Sequence, residues 1–494
     1  MKQKRLDSIF LAKQRWQKKM FKQNRLHPVS IIYVILKRLR EFIFPFIGII
    51  VLGGKPTEWG LYTILGASFL LLIILISGFL SWNFFTFYVM GNELRIEYGV
   101  FIKKKRYIPF ERIQSIDFTE GIFHRPFSLV KVKIETAGGA EAEGELTAIS
   151  KKVAQELKRY IIQKKNEQIE TDEIIEEVEP AQQEIYRISS KKLVVLASTS
   201  GGVGVIISAI FAFISQFDDL IPYKEIYKHV QQVITSGVAL VSIVVFVLFV
   251  LLWVLSWFIT ILKYANFTLS KTKDDLIITR GLIEKKQITI PLKRIQAIKI
   301  TEAMLRQPFQ LVSVSVISAG GSFDDIEASD VVAVPLLKKK ELPLLLKEMV
   351  PEYEWNEELH SPPKRSIWRY IIKNSWIALP VIIAMIYFFH EWGALSLLLL
   401  LVLPLWGYWN YRSAGYRISG KQLTLSFRQF NKTTFLMRRN RIQALYYTEG
   451  WWQRKGELAS VRGVVLSGAG GATGVVTDLT KEDVEKVYEW YSLS

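Results

Sequence analysis

"ERIQSIDFTEGIFHRPFSLV" at 111–130 returns as "KRIQAIKITEAMLRQPFQLV" at 293–312 and, eroded, as "NRIQALYYTEGWWQRKGELA" at 440–459. Displacing the chain by 182 residues aligns 94–139 with 276–321 without a gap. Gly99 then matches Gly281, Lys103-Lys104 matches Lys285-Lys286, and Pro109 matches Pro291. Pro126-Phe127 likewise matches Pro308-Phe309. A further 147 residues bring in Arg441-Ile442-Gln443 and Thr448-Glu449, with Lys455 in place of the proline and Arg428 in place of the glycine. Self-similarity at a long fixed period means one supersecondary unit used several times, here three.

Inside each copy the residues alternate apolar and polar with period two. "ELRIEYGV", "KRYIPF", "SIDFTEG" and "VKVKIETAGG" read as half-buried antiparallel strands broken at Gly or Pro. The spacing then becomes helical, through Val153, Leu157 and Ile161, through Leu342, Leu345 and Met349, and through Val484, Val487 and Tyr491. Strands closed by one helix make a small α+β module.

Ahead of each module lie paired apolar runs. Residues 60–82 carry no charge, and 233–262 form a still longer run in which Trp253 and Trp257 suit an interfacial belt. Weaker partners precede them at 42–54 and 193–215, and a third pair occupies 377–389 and 393–409. Six crossings in three hairpins are expected. The short first members draw length from amphipathic stretches at 31–41 and 366–376. Gly201, Gly202 and Gly204 favour close helix packing. Half of the 494 residues are apolar, with 14 Trp, 20 Tyr and 29 Phe, and the mean hydropathy of +0.20 agrees with a membrane protein.

Twelve Lys and Arg lie in residues 1–41 against Asp7 and Glu41, so the positive-inside bias predicts a cytoplasmic N-terminus. With six crossings the C-terminus and every module share that side. The basic start lacks the apolar core and small-residue site of a cleavable signal peptide. Residues 166–184 are acidic and polar, as a solvated linker would be.

"RLHPVSII" at 25–32, a two-span hairpin, then "RIQS" and "RPFSLVKVKIETAGG" resemble the bacterial pleckstrin-homology-like (PH-like) membrane proteins of the YdbS/YdbT type. The triplicated layout is similar to the long YdbT-like members. The resemblance implies a PH-like β-barrel for each module and a shorter membrane protein of the same family, with a single such domain, as partner. The expected fold is α+β and polytopic: three repeats of a transmembrane helical hairpin followed by a PH-like barrel capped by a C-terminal helix. Its parts are a basic amphipathic segment (1–41), hairpin one (42–82), PH-like domain one (83–163), an acidic linker (164–190), hairpin two (191–262), domain two (263–350), a linker (351–365), hairpin three (366–411) and domain three (412–494). Lys455 and Arg428 make copy three the least typical.

Chemistry-bearing patterns are missing. There is no Cys, and the five His (His27, His124, His229, His360, His390) have no metal-ligand spacing. "SGAGGATG" at 467–474 lacks the lysine of a phosphate loop and aligns with turn glycines. No catalytic, cofactor or metal residue is assigned. The net charge of +18 concentrates near the bilayer. Lys103, Lys104, Lys105 and Arg106, then Lys285 and Lys286, then Arg438 and Arg439 are the candidate contacts to lipid or partner. Arg112 and Gln114, Arg294 and Gln296, and Arg441 and Gln443 recur in "RIQ" and suit a polar contact within or between modules. His124 beside Arg125 suits a structural role. The richest basic cluster, the N-terminal arm with Trp16, Met20 and Phe21, suits an amphipathic helix on lipid as well as a nucleic-acid surface, and its proximity to the membrane favours membrane lipids over nucleic acid. The reading is a non-enzymatic membrane scaffold, set against a lipid or peptide transporter. A lipid-modifying enzyme using Glu120, Glu302 and Glu449 is a further alternative.

Overall fold

A computed structural model describes residues 23–39, 59–136, 144–167, 182–202, 204, 206–208, 238–319, 330–468 and 470–492. The chain divides into two compact units. The first holds Met1–Ala181 with Ile283–Pro291, and the second Gln182–Leu282 with Leu292–Ser494.

In the first unit, alternating residues of β1 (Asn24–Arg25), β2 (Thr86–Met90), β3 (Glu93–Tyr98) and β4 (Lys104–Pro109) form one antiparallel sheet in that order. Between β1 and β2 lies the stretch that includes the helix Trp59–Asn83, yet Asn24 pairs with Phe87 across it. The candidate membrane helix is therefore inserted between neighbouring strands of the sheet. A 3-10 turn, Phe110–Arg112, turns the chain from β4 into a second set: β5 (Ile113–Glu120), β6 (Leu129–Thr136) and β7 (Gly144–Ser150). Leu94, Ile108, Val132, Ile134 and Leu146 fill the space between, and the helix Lys151–Glu167 adds Ala154, Leu157 and Ile161 from one face. Each large apolar side chain among them contributes about 1.5–3 kcal/mol on full burial.

The outer edge of β5 pairs with the strand Lys285–Pro291, which belongs in sequence to the second repeat; Lys285 opposes Glu120 and Lys286 opposes Thr119.

The second unit repeats the plan. β8 (Gln183–Arg187) precedes the candidate membrane helix Ser242–Tyr264 and pairs with β9 (Thr268–Lys271), which pairs with β10 (Asp275–Arg280). With the strand Lys285–Pro291 counted as β11, there follow β12 (Ile295–Glu302), β13 (Leu311–Ser318), β14 (Asp330–Lys338) and the helix Leu342–Met349. The third repeat supplies β15 (Gly415–Ser419), β16 (Gln422–Arg428), β17 (Lys432–Arg438), β18 (Ile442–Thr448), β19 (Leu458–Val465), β20 (Ala472–Thr480) and the helix Lys481–Ser492. Here too a residue ahead of the hairpin joins the sheet behind it, His360 bridging Tyr416. The strands run β14-β13-β12-β17-β16-β15 in one sheet and β18-β19-β20 in another.

The barrel implied by the resemblance is not closed. A strand has two edges. β5 lies between β6 and β11, and β12 between β13 and β17, so neither keeps an edge on which to close.

Four helices among the described residues are long and apolar enough to cross a membrane: Leu65–Asn83, Ser242–Tyr264, Lys364–Phe388 and Gly393–Ser413. The amphipathic stretch at 366–376 supplies the length that 377–389 lacks. The expected span at 42–54, residues 203, 205 and 209–215 of the expected span at 193–215, and most of the acidic linker lie outside the described residues. Where hairpin two is described, a Cβ on Gly202 would stand 2.3 Å from Ser256 Oγ, whereas Gly201 and Gly204 face open space. Close packing belongs to Gly202 alone of the three.

Candidate membrane-facing site

The register of each first sheet places one β-turn at the end of the sheet where a candidate membrane helix attaches. The chain leaves the first described membrane helix at Asn83 and enters β2 at Thr86, which opposes Glu97. Residues 99–103 therefore turn at the end of the sheet where the helix is attached. Gly99 is required there, since its φ is +109° and a Cβ would lie 2.1 Å from the Ile102 carbonyl oxygen. The tip presents Phe101 at 98 % and Ile102 at 75 % exposure, followed by exposed Lys103, Lys104, Lys105 and Arg106. Lys105 reaches Glu97 at 3.6 Å.

The second tip is tied to its helix directly: the Gly281 N–H donates to the Ala265 carbonyl at 2.8 Å and that of Leu282 to Leu262 at 2.9 Å. Lys285 and Lys286 follow the tip into the ladder with β5. At the third tip Arg428 replaces the glycine and Arg428 pairs with Lys432 in a tighter turn. Its Nε donates to Ser413 Oγ at 2.8 Å, its Nη2 to Gln307 Oε1 at 2.8 Å, and the guanidinium lies 4.5 Å above the Trp409 ring. Burial holds its pKa below the ordinary arginine value. Exposed Phe430 lies 6.2 Å from Trp406 of the membrane helix.

Arg438 and Arg439 stand at the far end of β17 from this tip. Arg438 donates to the Glu352 carbonyl at 2.7 Å, and Arg439 donates to that of Tyr491 at 3.3 Å. The basic residues singled out in copy three are therefore not gathered with the tip.

"RIQ" builds a corner in all three copies. Its arginine ends a 3-10 turn (Phe110–Arg112, Leu292–Arg294, Arg439–Arg441) and its isoleucine is buried at Ile113, Ile295 and Ile442. The glutamine falls where the register slips, between Ile113 and Ser115, Ile295 and Ala297, and Ile442 and Ala444. Gln114, Gln296 and Gln443 are thus the extra residues of β-bulges, which bend and twist a strand as it leaves a corner. Gln296 Nε2 donates to the Arg294 carbonyl at 3.1 Å, and the Gln296 carbonyl accepts from Tyr353 Oη at 3.2 Å.

Two features carried no signal that the sequence reading used. The loop after "TE" inverts surface polarity: Ile122-Phe123, Met304-Leu305 and Trp451-Trp452 are 44–69 % exposed, while the polar residues that follow, His124, Arg306 and Gln453, are buried. His124 and Arg306 contact the segment ahead of their own candidate membrane helix, and Gln453 is linked to the corresponding segment through Asp478. His124 lies 5.9 Å from the Tyr33 ring. Arg306 donates to Thr199 Oγ1 at 2.8 Å and the Leu196 carbonyl at 3.3 Å. Gln453 donates to Asp478 Oδ1 at 2.9 Å, which also accepts from Arg369 Nε at 2.7 Å. Only the threefold alignment of apolar-apolar-polar triplets hints at this before folding.

The second feature is Asp117, whose Oδ1 accepts from the Thr289 N–H at 2.8 Å. Burial, then the nearby Glu135 carboxylate, pushes its pKa up to about 7, against the pull of Lys158 and Lys133.

Glu120 pairs with Lys151, and Glu302 with Lys432 at 3.3 Å. Among the described residues no group of His, Cys, Asp or Glu could hold a metal ion.

Three stretches, 42–165, 209–349 and 376–494, match the family described as "Bacterial PH domain". The chain belongs to that family. Each matched stretch of the bacterial PH family covers one repeat, and no catalytic family is indicated. The chain is also similar to the UPF0699 transmembrane protein YdbT of Bacillus subtilis (strain 168), with 36 % identity over 487 residues, 96 % of this chain and 99 % of that protein. No solved structure matches it.

Proposed function

We propose that this bacterial PH protein is a non-enzymatic scaffold of the cell membrane whose modules face the cytoplasm, bind anionic lipid headgroups and engage a shorter, single-module membrane protein of the same family. A role in envelope protection fits such a scaffold. The observation that carries the lipid reading is the first tip, where Lys103–Arg106 stand exposed beside Phe101 and Ile102 at the membrane-attached end of the sheet. An exposed Lys or Arg close to an anionic leaflet contributes about 1 kcal/mol, and apolar side chains reaching the acyl boundary add to it. The outward apolar pairs at 122–123, 304–305 and 451–452 lie beside the membrane-leading segments and support the same orientation. In this reading the three repeats act as three interaction modules, each with β-paired residues on both sides of its membrane segment in the chain.

The test is reconstitution of the full chain into vesicles with and without phosphatidylglycerol. Lys104→Glu with Lys105→Glu should lower the preference for anionic vesicles about tenfold or more at low salt, and high salt should erase the difference. An unchanged preference removes the headgroup role. Pull-down from native membranes should recover the shorter family member; purification as a lone chain removes the partner role.

A further inference from the structure

The two junctions between repeats follow one rule. In the first, β5 offers its outer edge to β11 with Glu120 opposite Lys285; in the second, β12 offers the same edge to β17 with Glu302 opposite Lys432. These are aligned positions of the repeat: the glutamate of "TE" closes one strand, and a lysine just after the hairpin tip opens the other. In the second junction the pair is also an ion pair, at 3.3 Å, with Glu302 largely buried. Opposite charges placed across an antiparallel pair fix its register, which a sheet edge needs because a slip of one residue reverses every side chain.

The rule leaves one member of each kind unused. β18, the equivalent of β5 and β12, has β19 on one side and no strand on the other among the described residues, and Glu449 stands at its end. β4, the equivalent of β11 and β17, has β3 on one side and no strand on the other among the described residues, and exposed Lys103 immediately precedes it. The open edge of β4 is the one by which β17 joins β12. One chain thus ends in an acceptor edge carrying the glutamate and begins in a donor edge carrying the lysine.

We propose that β18 of one copy receives β4 of a second copy, antiparallel and with Lys103 opposite Glu449, by the same step that joins the repeats within a chain. The occupant is a second copy because β4 is the described strand that has both the lysine and the unfilled edge. An interface of this kind is heterologous, so it generates open chains of copies, or closed rings where the rotation between copies closes. The inference rests on the scaffold reading only in treating the modules as interaction elements; the vesicle reconstitution tests the lipid role separately.

The absence of cysteine from the chain makes the test clean. Full-length Lys103→Cys with Glu449→Cys, oxidised in native membranes, should give crosslinked species, a ladder of dimers, trimers and larger for an open chain and a single closed size for a ring, since facing positions of an antiparallel pair lie within disulfide reach. The two single variants co-expressed should give the mixed dimer, and either alone can give no species above a dimer. Independently, Lys103→Glu should abolish co-isolation of two differently tagged copies, and adding Glu449→Lys should restore it. The proposal is overturned by a double variant that shows no crosslinked species, by a Glu449→Cys chain that crosslinks to a different protein instead, or by charge reversal that leaves co-isolation unchanged.

Discussion

At the residue scale, two positions carry measurable costs. Gly99→Ala places a methyl group against the Ile102 carbonyl in a conformation that L side chains avoid. We expect a loss of about 2 kcal/mol or more, read by thermal unfolding of the detergent-solubilised chain. Asp117 makes stability depend on pH. An acid whose folded value lies above its ordinary one, about 7 against 3.8, binds more protons folded than unfolded between those limits. Stability therefore falls as pH rises through that window, by up to roughly 4 kcal/mol at about 1.4 kcal/mol per unit, and the loss is complete above it. Asp117→Asn keeps an oxygen for the Thr289 N–H and should flatten this dependence, leaving the variant the more stable at pH 8. A wild-type profile flat between pH 4 and 7 contradicts the assignment. Gly99 was legible because it recurs as Gly281 in the repeat. Asp117 was not, because its environment is built by Glu135, Lys158 and Thr289 from distant parts of the chain.

At the element scale, helix packing in the hairpins turns on what a glycine touches. A Cβ on Gly407 would stand 2.7 Å from Ile371 Cα and from the Tyr370 carbonyl oxygen, both backbone atoms that cannot rotate away. At Gly202 the obstacle is Ser256 Oγ, the end of a side chain that can turn aside. Gly407→Ala should therefore separate the helices Ile367–Ser375 and Leu399–Ser413 and strain the Asn410 Nδ2 bond to Asn374 Oδ1, now 3.2 Å. The expected cost is about 2–3 kcal/mol, against less than about 1 kcal/mol for Gly202→Ala. Comparing the two unfolding midpoints in one detergent checks the order. Apolar runs show in sequence which segments meet lipid. They do not show which glycine faces a backbone, because that depends on the rotation of two helices about their axes.

At the scale of the whole molecule, the repeats are not separable beads. Truncation after Val350 removes β17 and leaves β12 with an unpaired apolar edge through Ile298 and Ile300. Such edges template aggregation. The truncated chain should appear as aggregate or degradation product on size-exclusion chromatography of solubilised membranes, where the full chain runs as a defined species. A monodisperse truncated protein argues that the β12–β17 pairing is dispensable.

Residue order alone was enough to establish the triplication, the strand and helix periods, the apolar runs, and the corner motif "RIQ" as a repeated element. All of these are local, written in residue type at spacings of two, 3.6 or one repeat length. It took the folded chain to settle that β1, β8 and His360 pair across their hairpins, that β11 and β17 fill the edges on which a barrel would have closed, and that the "TE" loops turn apolar residues outward. The reason is that strand pairing is made by backbone N–H and C=O groups, which every non-proline residue carries alike. Which edge meets which is therefore set by the three-dimensional competition among edges, and in the sequence it leaves no more than a glutamate and a lysine at matched positions.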